Sequence, residues 1–111
     1  EQFVESFLER RDLRGSLKWA ERLGRKPEDA IPLLGLLAWN VRMMALLAAK
    51  SRSVRLAPFL EGKLMRALRV WSLDEILALQ AELSTLDFAL KQTPQEPLAL
   101  WGVLISQFCR K

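Results

Sequence analysis

Five basic residues are the ones in this sequence whose spacing best suits a binding function. Arg11, Arg14, Lys18, Arg22 and Arg25 follow one another at intervals of three and four, which places them on one side of a helix. Such a row can follow the phosphates of a nucleic acid, and each contact would make binding more salt-dependent. We expect no aromatic side chain among them to stack on bases. A solvated, charged helix face is therefore the favoured interpretation, with candidate phosphate contacts as the alternative.

The residue types in the chain exclude several kinds of catalytic and metal-binding site. The chain has no histidine and one cysteine, so Ser-His-Asp, Cys-His and His-metal sets cannot form within it. Cys109 is interpreted as a small, partly buried hydrophobic residue, and the lone cysteine suits a reducing compartment. The sequence has no phosphate-binding GxxxxGK[ST] loop. We therefore predict no enzymatic activity, no cofactor and no metal ion for this fragment.

Apolar residues recur at helical spacing in six segments, and no stretch alternates as a strand would. The segments are residues 2–10, 13–23, 31–50, 58–71, 72–92 and from 97 onward. The net charge is +4 and half of the residues are hydrophobic, which excludes a disordered tail and favours acidic partners. We predict one all-α domain over residues 1–111, a fragment of a longer chain whose N-terminal domains are absent.

The segment 31–50, IPLLGLLAWNVRMMALLAAK, is apolar on nearly every side. It is long enough to span a membrane, but Asn40 and Arg42 lie near its middle, where a charge is costly in lipid. We therefore predict a central buried helix, capped by Asp29, in a compact bundle of five to six helices with no membrane partner.

Three local features define the other helices. Asp12 is predicted to cap the second helix, and Ser72 with Glu75 forms a capping box for the fifth. Leu60, Leu64, Leu68 and Trp71 are predicted to share one face of the fourth helix.

The last helix is apolar on more than one face. Its predicted core residues are Trp101, Leu104, Ile105 and Phe108. Leu100 and Val103 point elsewhere and are predicted to meet a neighbouring subunit or a second copy of the fragment.

The order of the segments resembles a known family. The resemblance is based on the segments FVESFLERRD, LKWAERLGRKPED, LLGLLAWNVRMMALLAAK, PFLEGKLMRALRVWS and LDEILALQAELSTLDFALKQ, followed by an apolar helix. Together they resemble the C-terminal domain of the delta subunit of bacterial DNA polymerase III, over nearly the whole chain. The matching residues are Leu33, Leu34, Leu37, Arg42, Pro58, Trp71, Leu83, Asp87 and Lys91. The sequence departs from the family at Trp39 and Asn40, where a polar pair is more usual.

This resemblance implies a helical collar domain of the clamp loader, which places the sliding clamp on DNA during replication. The implied partners are the gamma/tau and delta-prime subunits, with DNA contacted indirectly and the sliding clamp only through the absent N-terminal domain. The implied location is the bacterial cytoplasm, with the nucleoid-associated replication machinery of a nucleotidyltransferase complex. The expected protein-interface residues are Leu100, Val103, Trp101 and Arg42. The alternative is a stand-alone basic helical domain that binds nucleic acid.

Overall fold

The computed structural model describes residues 2–50, 55–92 and 96–110, and in these ranges it contains six α-helices and no β-strand. The predicted all-α bundle is confirmed. The first helix continues directly as a π-helical turn, Glu5–Glu9, so the predicted helical segment 2–10 is also observed. The helices are α1 (Gln2–Val4), α2 (Leu13–Leu23), α3 (Pro27–Ala48), α4 (Pro58–Ala67), α5 (Leu73–Gln92) and α6 (Pro97–Phe108). The predicted connections at 51–57 and 93–96 lie partly outside the described residues.

Prolines set the start of three helices. Pro27, Pro58 and Pro97 each occupy the beginning of a helix, where the missing N–H and the fixed φ do no harm. The prediction that Asp29 caps the central helix is wrong, because α3 already begins at Pro27 with Lys26 as its N-cap. Asp29 instead lies in the first turn, where a carboxylate meets the positive end of the helix dipole favourably.

α4 ends several residues earlier than the spacing of its apolar residues predicts. α4 ends at Ala67, so Trp71 lies in the connection to α5 and not on the face of α4. The capping box that follows is confirmed: the Ser72 N–H donates to Glu75 Oε1 at 2.9 Å, and the Glu75 N–H donates to Ser72 Oγ at 3.1 Å. Because this box starts a new helix at Leu73, α4 cannot extend to Trp71.

A row of aromatic rings runs through the core. Trp101, Phe3, Phe7, Trp71 and Phe108 follow one another with ring centroids 5.2, 5.9, 6.1 and 6.0 Å apart. These distances fall in the range where aromatic pairs attract each other beyond the burial of their surfaces. The row joins the N-terminal segment to α6 and to the α4–α5 connection.

Both buried indoles have partners for their N–H groups, as burial requires. Trp71 Nε1 donates to the Leu8 carbonyl oxygen at 2.8 Å, and Trp101 Nε1 donates to the Gly24 carbonyl oxygen at 3.1 Å. A Cβ atom at Gly24 would lie only 2.7 Å from the Trp101 indole nitrogen. Gly24, the residue directly after α2, must therefore be glycine for Trp101 to reach its place in the core.

The composition of α3 indicated a helix buried on all sides, but only one face of α3 is buried. Leu34, Leu37 and Val41 face the core, and the most extensive contact of α3 is with α5. Leu36 and Trp39, on another side, remain exposed. By length and hydropathy α3 is the one described helix that could cross a membrane, but core helices of soluble proteins have the same composition.

Replacement of Leu37 by alanine is expected to lower the free energy of unfolding by roughly 2–5 kcal/mol, because the side chain is fully buried and truncation leaves a cavity. Leu77→Ala is the matched control, since half of that side chain is exposed on α5. Its cost should stay below about 1 kcal/mol. Urea unfolding followed by circular dichroism measures both. Equal losses in the two variants would contradict the assignment of the core.

Candidate functional surfaces

Arg11 is turned inward and joins three parts of the chain. Its Nε donates to the Phe108 carbonyl oxygen at 2.9 Å, and its Nη1 donates to the Val70 carbonyl oxygen at 2.8 Å and to Glu75 Oε2 at 3.0 Å. The guanidinium carbon lies 3.8 Å from the ring centroid of Trp71. Only 11% of the Arg11 side chain is exposed. Arg11 is therefore a structural residue, and we remove it from the candidate phosphate contacts.

The backbone at Arg11 is equally constrained. Its φ angle is 49°, in the left-handed region that residues with a side chain rarely adopt. Its carbonyl oxygen accepts a hydrogen bond from the Arg110 N–H at 2.7 Å, and the Arg110 carbonyl oxygen accepts one from the Leu13 N–H at 3.0 Å. The start of α2 and the end of α6 are thus held together by both backbone and side chain.

Two titratable groups beside Arg11 have shifted pKa values. The Ser72 N–H and then the Arg11 guanidinium lower the pKa of Glu75 below its ordinary value of 4.5. Burial raises the pKa of the Cys109 thiol from 9.0 to about 11. Cys109 is buried beside Ser16, with Oγ and Sγ 3.7 Å apart. Its thiol stays protonated at neutral pH and is no nucleophile, which agrees with its interpretation as a small hydrophobic residue.

Arg11→Ala is expected to lower the free energy of unfolding by about 3 kcal/mol at pH 7, because it leaves two carbonyl groups and Glu75 without their charged donor. The contribution of Glu75, whose pKa is lowered by folding, is fully present above pH 4.5 and is lost as the pH falls below that value. The difference between wild type and Arg11→Ala should therefore shrink in acid.

Arg14→Ala is the matched control, because Arg14 is an exposed arginine in the first turn of α2, three residues after Arg11. Thermal melts at pH 7 and at pH 3 measure both variants. A change for Arg14→Ala as large as that for Arg11→Ala would show that loss of positive charge near the start of α2, and not loss of the Arg11 contacts, carries the effect.

Three of the five predicted basic residues do share a surface groove. Lys18, Arg22 and Arg25 line it together with Lys26, and its volume is about 560 Å³. Two carboxylates, Glu21 and Asp29, line the same groove and reduce its positive charge. Arg14 is exposed but is not among the residues that line it.

An aromatic residue accompanies this basic groove, contrary to the sequence-based expectation. The Nζ atom of Lys18 lies 5.4 Å, and the guanidinium carbon of Arg22 lies 5.5 Å, from the ring centroid of Trp19. Both are within the range of a cation–π interaction. The spacing of three between Trp19 and Arg22 was the signal in the sequence for this pairing.

A second groove, of about 260 Å³, lies at the surface between the packed helices α3 and α5. Leu34 and Leu83 line it with Arg42 and Asp87, and its other lining residues are Gly35, Ala38, Gln80 and Ser84. Asp87 Oδ2 is 3.0 Å from Nζ of Lys91, an i,i+4 ion pair within α5. We call this the α3–α5 groove. It brings together four of the residues on which the family resemblance rests.

The predicted interface on α6 is only partly at the surface. Val103 is 66% exposed and Leu100 is half-buried. Trp101 is a core residue, because its ring packs on Phe3 and its N–H reaches Gly24. Of the predicted interface residues, Trp101 is therefore not available to a partner, whereas Arg42 is exposed in the α3–α5 groove.

Within the part of the chain that the structure describes, no group of three or more histidine, cysteine, aspartate or glutamate residues is arranged to hold a metal ion. No protein-family model, curated protein or solved structure matches this chain.

Proposed function

We propose that this chain is an assembly domain that binds other proteins, and that its place is the collar of the bacterial clamp loader, where it would act as the C-terminal domain of the delta subunit. The observation that carries the proposal is the α3–α5 groove. Its lining includes Leu34, Arg42, Leu83 and Asp87, which are all residues of the resemblance and come from two helices distant in sequence.

The chemistry of the α3–α5 groove suits a protein partner. Leu34 and Leu83 belong to the core beneath the groove and give it an apolar base, and Arg42 and Asp87 provide charges of both signs to fix orientation. Arginine is enriched among the residues that dominate binding energy at interfaces, because its planar group both packs and donates several hydrogen bonds.

Large apolar side chains exposed elsewhere support the same proposal. Large exposed apolar side chains are available for burial against another protein. Those on α3 to α6 include Leu36, Trp39, Phe59, Met65, Leu73, Leu77, Phe88 and Val103. A collar domain has neighbours on more than one side, which would cover several such faces.

The test is assembly with the gamma/tau and delta-prime subunits of the same organism, followed by gel filtration. We expect the chain to co-elute with them, and Arg42→Glu to weaken co-elution at least about tenfold by reversing a charge at the interface. Arg69→Glu is the matched control, since Arg69 is exposed outside the groove. Val103→Asp tests the α6 face in the same way. Failure of the unmodified chain to co-elute would overturn the proposal.

A second candidate, nucleic-acid binding, is favoured by the contact of Trp19 with Lys18 and Arg22, two of the residues that line the basic groove. Cations that contact phosphates beside an aromatic ring are found in proteins that bind single strands.

If this candidate is correct, the chain will bind single-stranded DNA with an affinity that falls steeply as salt rises, and Arg22→Ala will reduce the salt slope by about one. Fluorescence anisotropy of a labelled oligonucleotide measures this, with Arg69→Ala as the control variant. Absence of binding at low salt would exclude the second candidate.

A further inference from the structure

We propose that two copies of this chain form a reversible two-fold dimer through the outer face of α3, and that Asp29 of each copy pairs with Lys63 of the other. This inference is separate from the proposed function, because it concerns the chain alone. It rests on an exposed strip of α3, a helix that was predicted from the sequence to be buried.

The strip follows α3 at the spacing of a helix-pairing seam. Asp29, Pro32, Leu36 and Trp39 are separated by three, four and three residues, and each is exposed. Residues at this spacing form one line along a helix, and two such lines pack against each other in helical pairs. From Asp29 to Trp39 the line is about 15 Å long at the usual rise per residue.

Leu36 stands between two hollows on this strip. On its N-terminal side, Leu23, Pro32 and Leu33 line a hollow of about 290 Å³ that ends at Asp29. On its C-terminal side, Trp39, Leu60 and Lys63 are among the residues that line a hollow of about 220 Å³. Leu36 lines both of them. The strip thus has an apolar middle, a carboxylate at one end and an ammonium group at the other.

Opposite charges at the two ends make the strip complementary to itself. A two-fold axis near Leu36 brings the N-terminal hollow of one copy against the C-terminal hollow of the other, with the two α3 helices antiparallel. Trp39, which is 44% exposed, then faces the partner copy's N-terminal hollow. The same rotation brings the Asp29 carboxylate of each copy towards the Lys63 ammonium group of the other. The dimer therefore contains two equivalent Asp29–Lys63 pairs.

Both charges are available for this contact. Neither Asp29 nor Lys63 forms an ion pair with any residue that the structure describes. Lys63 lies 5.3 Å from the ring of Phe59, which is 77% exposed and extends the apolar surface on α4. Glu9, the carboxylate that lines the C-terminal hollow, is already paired with Arg66 at 3.0 Å and leaves Lys63 to the partner.

A buried amide adds a polar contact to the C-terminal hollow. Asn40 is only 5% exposed, lines this hollow, and uses its Nδ2 to donate to the Leu36 carbonyl oxygen at 2.9 Å. Its Oδ1 has no hydrogen-bond partner among the described residues, and it is not sealed from solvent. It is therefore an acceptor open to a donor from the partner copy. The strip is short, so the dimer should be in the micromolar range or weaker.

Sedimentation equilibrium of the 111-residue chain tests the inference. We expect a monomer–dimer equilibrium whose dissociation constant rises at least about tenfold in Trp39→Ala, because the main apolar contact is removed. Leu77→Ala, on the outer face of α5, is the control and should leave the constant unchanged. A wild-type chain that stays monomeric up to about 1 mM would overturn the proposal.

Charge reversal gives the sharper test. Asp29→Lys and Lys63→Glu should each weaken self-association about tenfold, because each places two like-charged pairs in the dimer. An equimolar mixture of the two variants should restore dimers, because both pairs are then opposite in charge. Circular dichroism confirms that each variant is folded. Three outcomes would overturn the α3 interface. The first is an unchanged dissociation constant in both charge-reversal variants, and the second is a mixture that stays monomeric. The third is a dimer that is lost in Val103→Asp but kept in Trp39→Ala.

Discussion

The stacking of Arg11 on Trp71 is the interaction on which the arrangement of the other elements depends. The guanidinium lies 3.8 Å from the ring centroid and donates to the end of α6, to the α4–α5 connection and to the first turn of α5. Trp71 in turn donates to Leu8 and packs between Phe7 and Phe108. Four separate parts of the chain therefore meet at one buried cation, and its left-handed backbone is retained because these contacts outweigh the strain.

The charged side chains around the grooves and the core fall into two groups, those held by internal partners and those that face solvent. Arg11 is paired with Glu75 and donates to the carbonyl groups of Phe108 and Val70, as a largely buried charge must. Lys18, Arg22 and Arg42 face solvent in grooves with no such set of partners in the described structure. These grooves present charged side chains beside apolar ones.

α3 places these recognition surfaces around one helix. Its inner face carries Leu37 and Val41 into the core, while other sides border the α3–α5 groove at Arg42 and the strip at Leu36 and Trp39. A helix of this composition can satisfy its own core with one face only, so Leu36 and Trp39 are left exposed. The proposed assembly with other subunits and the proposed self-association would use different sides of the same helix.

The sequence by itself determined the helical class, most helix boundaries, the Ser72–Glu75 capping box and the core face of α6, because these follow from spacing, capping chemistry and proline positions within a few residues. It placed Asp29 at the N-cap of α3, Trp71 on α4 and Arg11 on the surface, and tertiary structure decided otherwise. A helical period shows which residues share a face, but not whether another element covers that face. Only the packing of α6 and the α4–α5 connection around Arg11 buried it, and only the position of α4 beside α3 left Leu36 and Trp39 exposed.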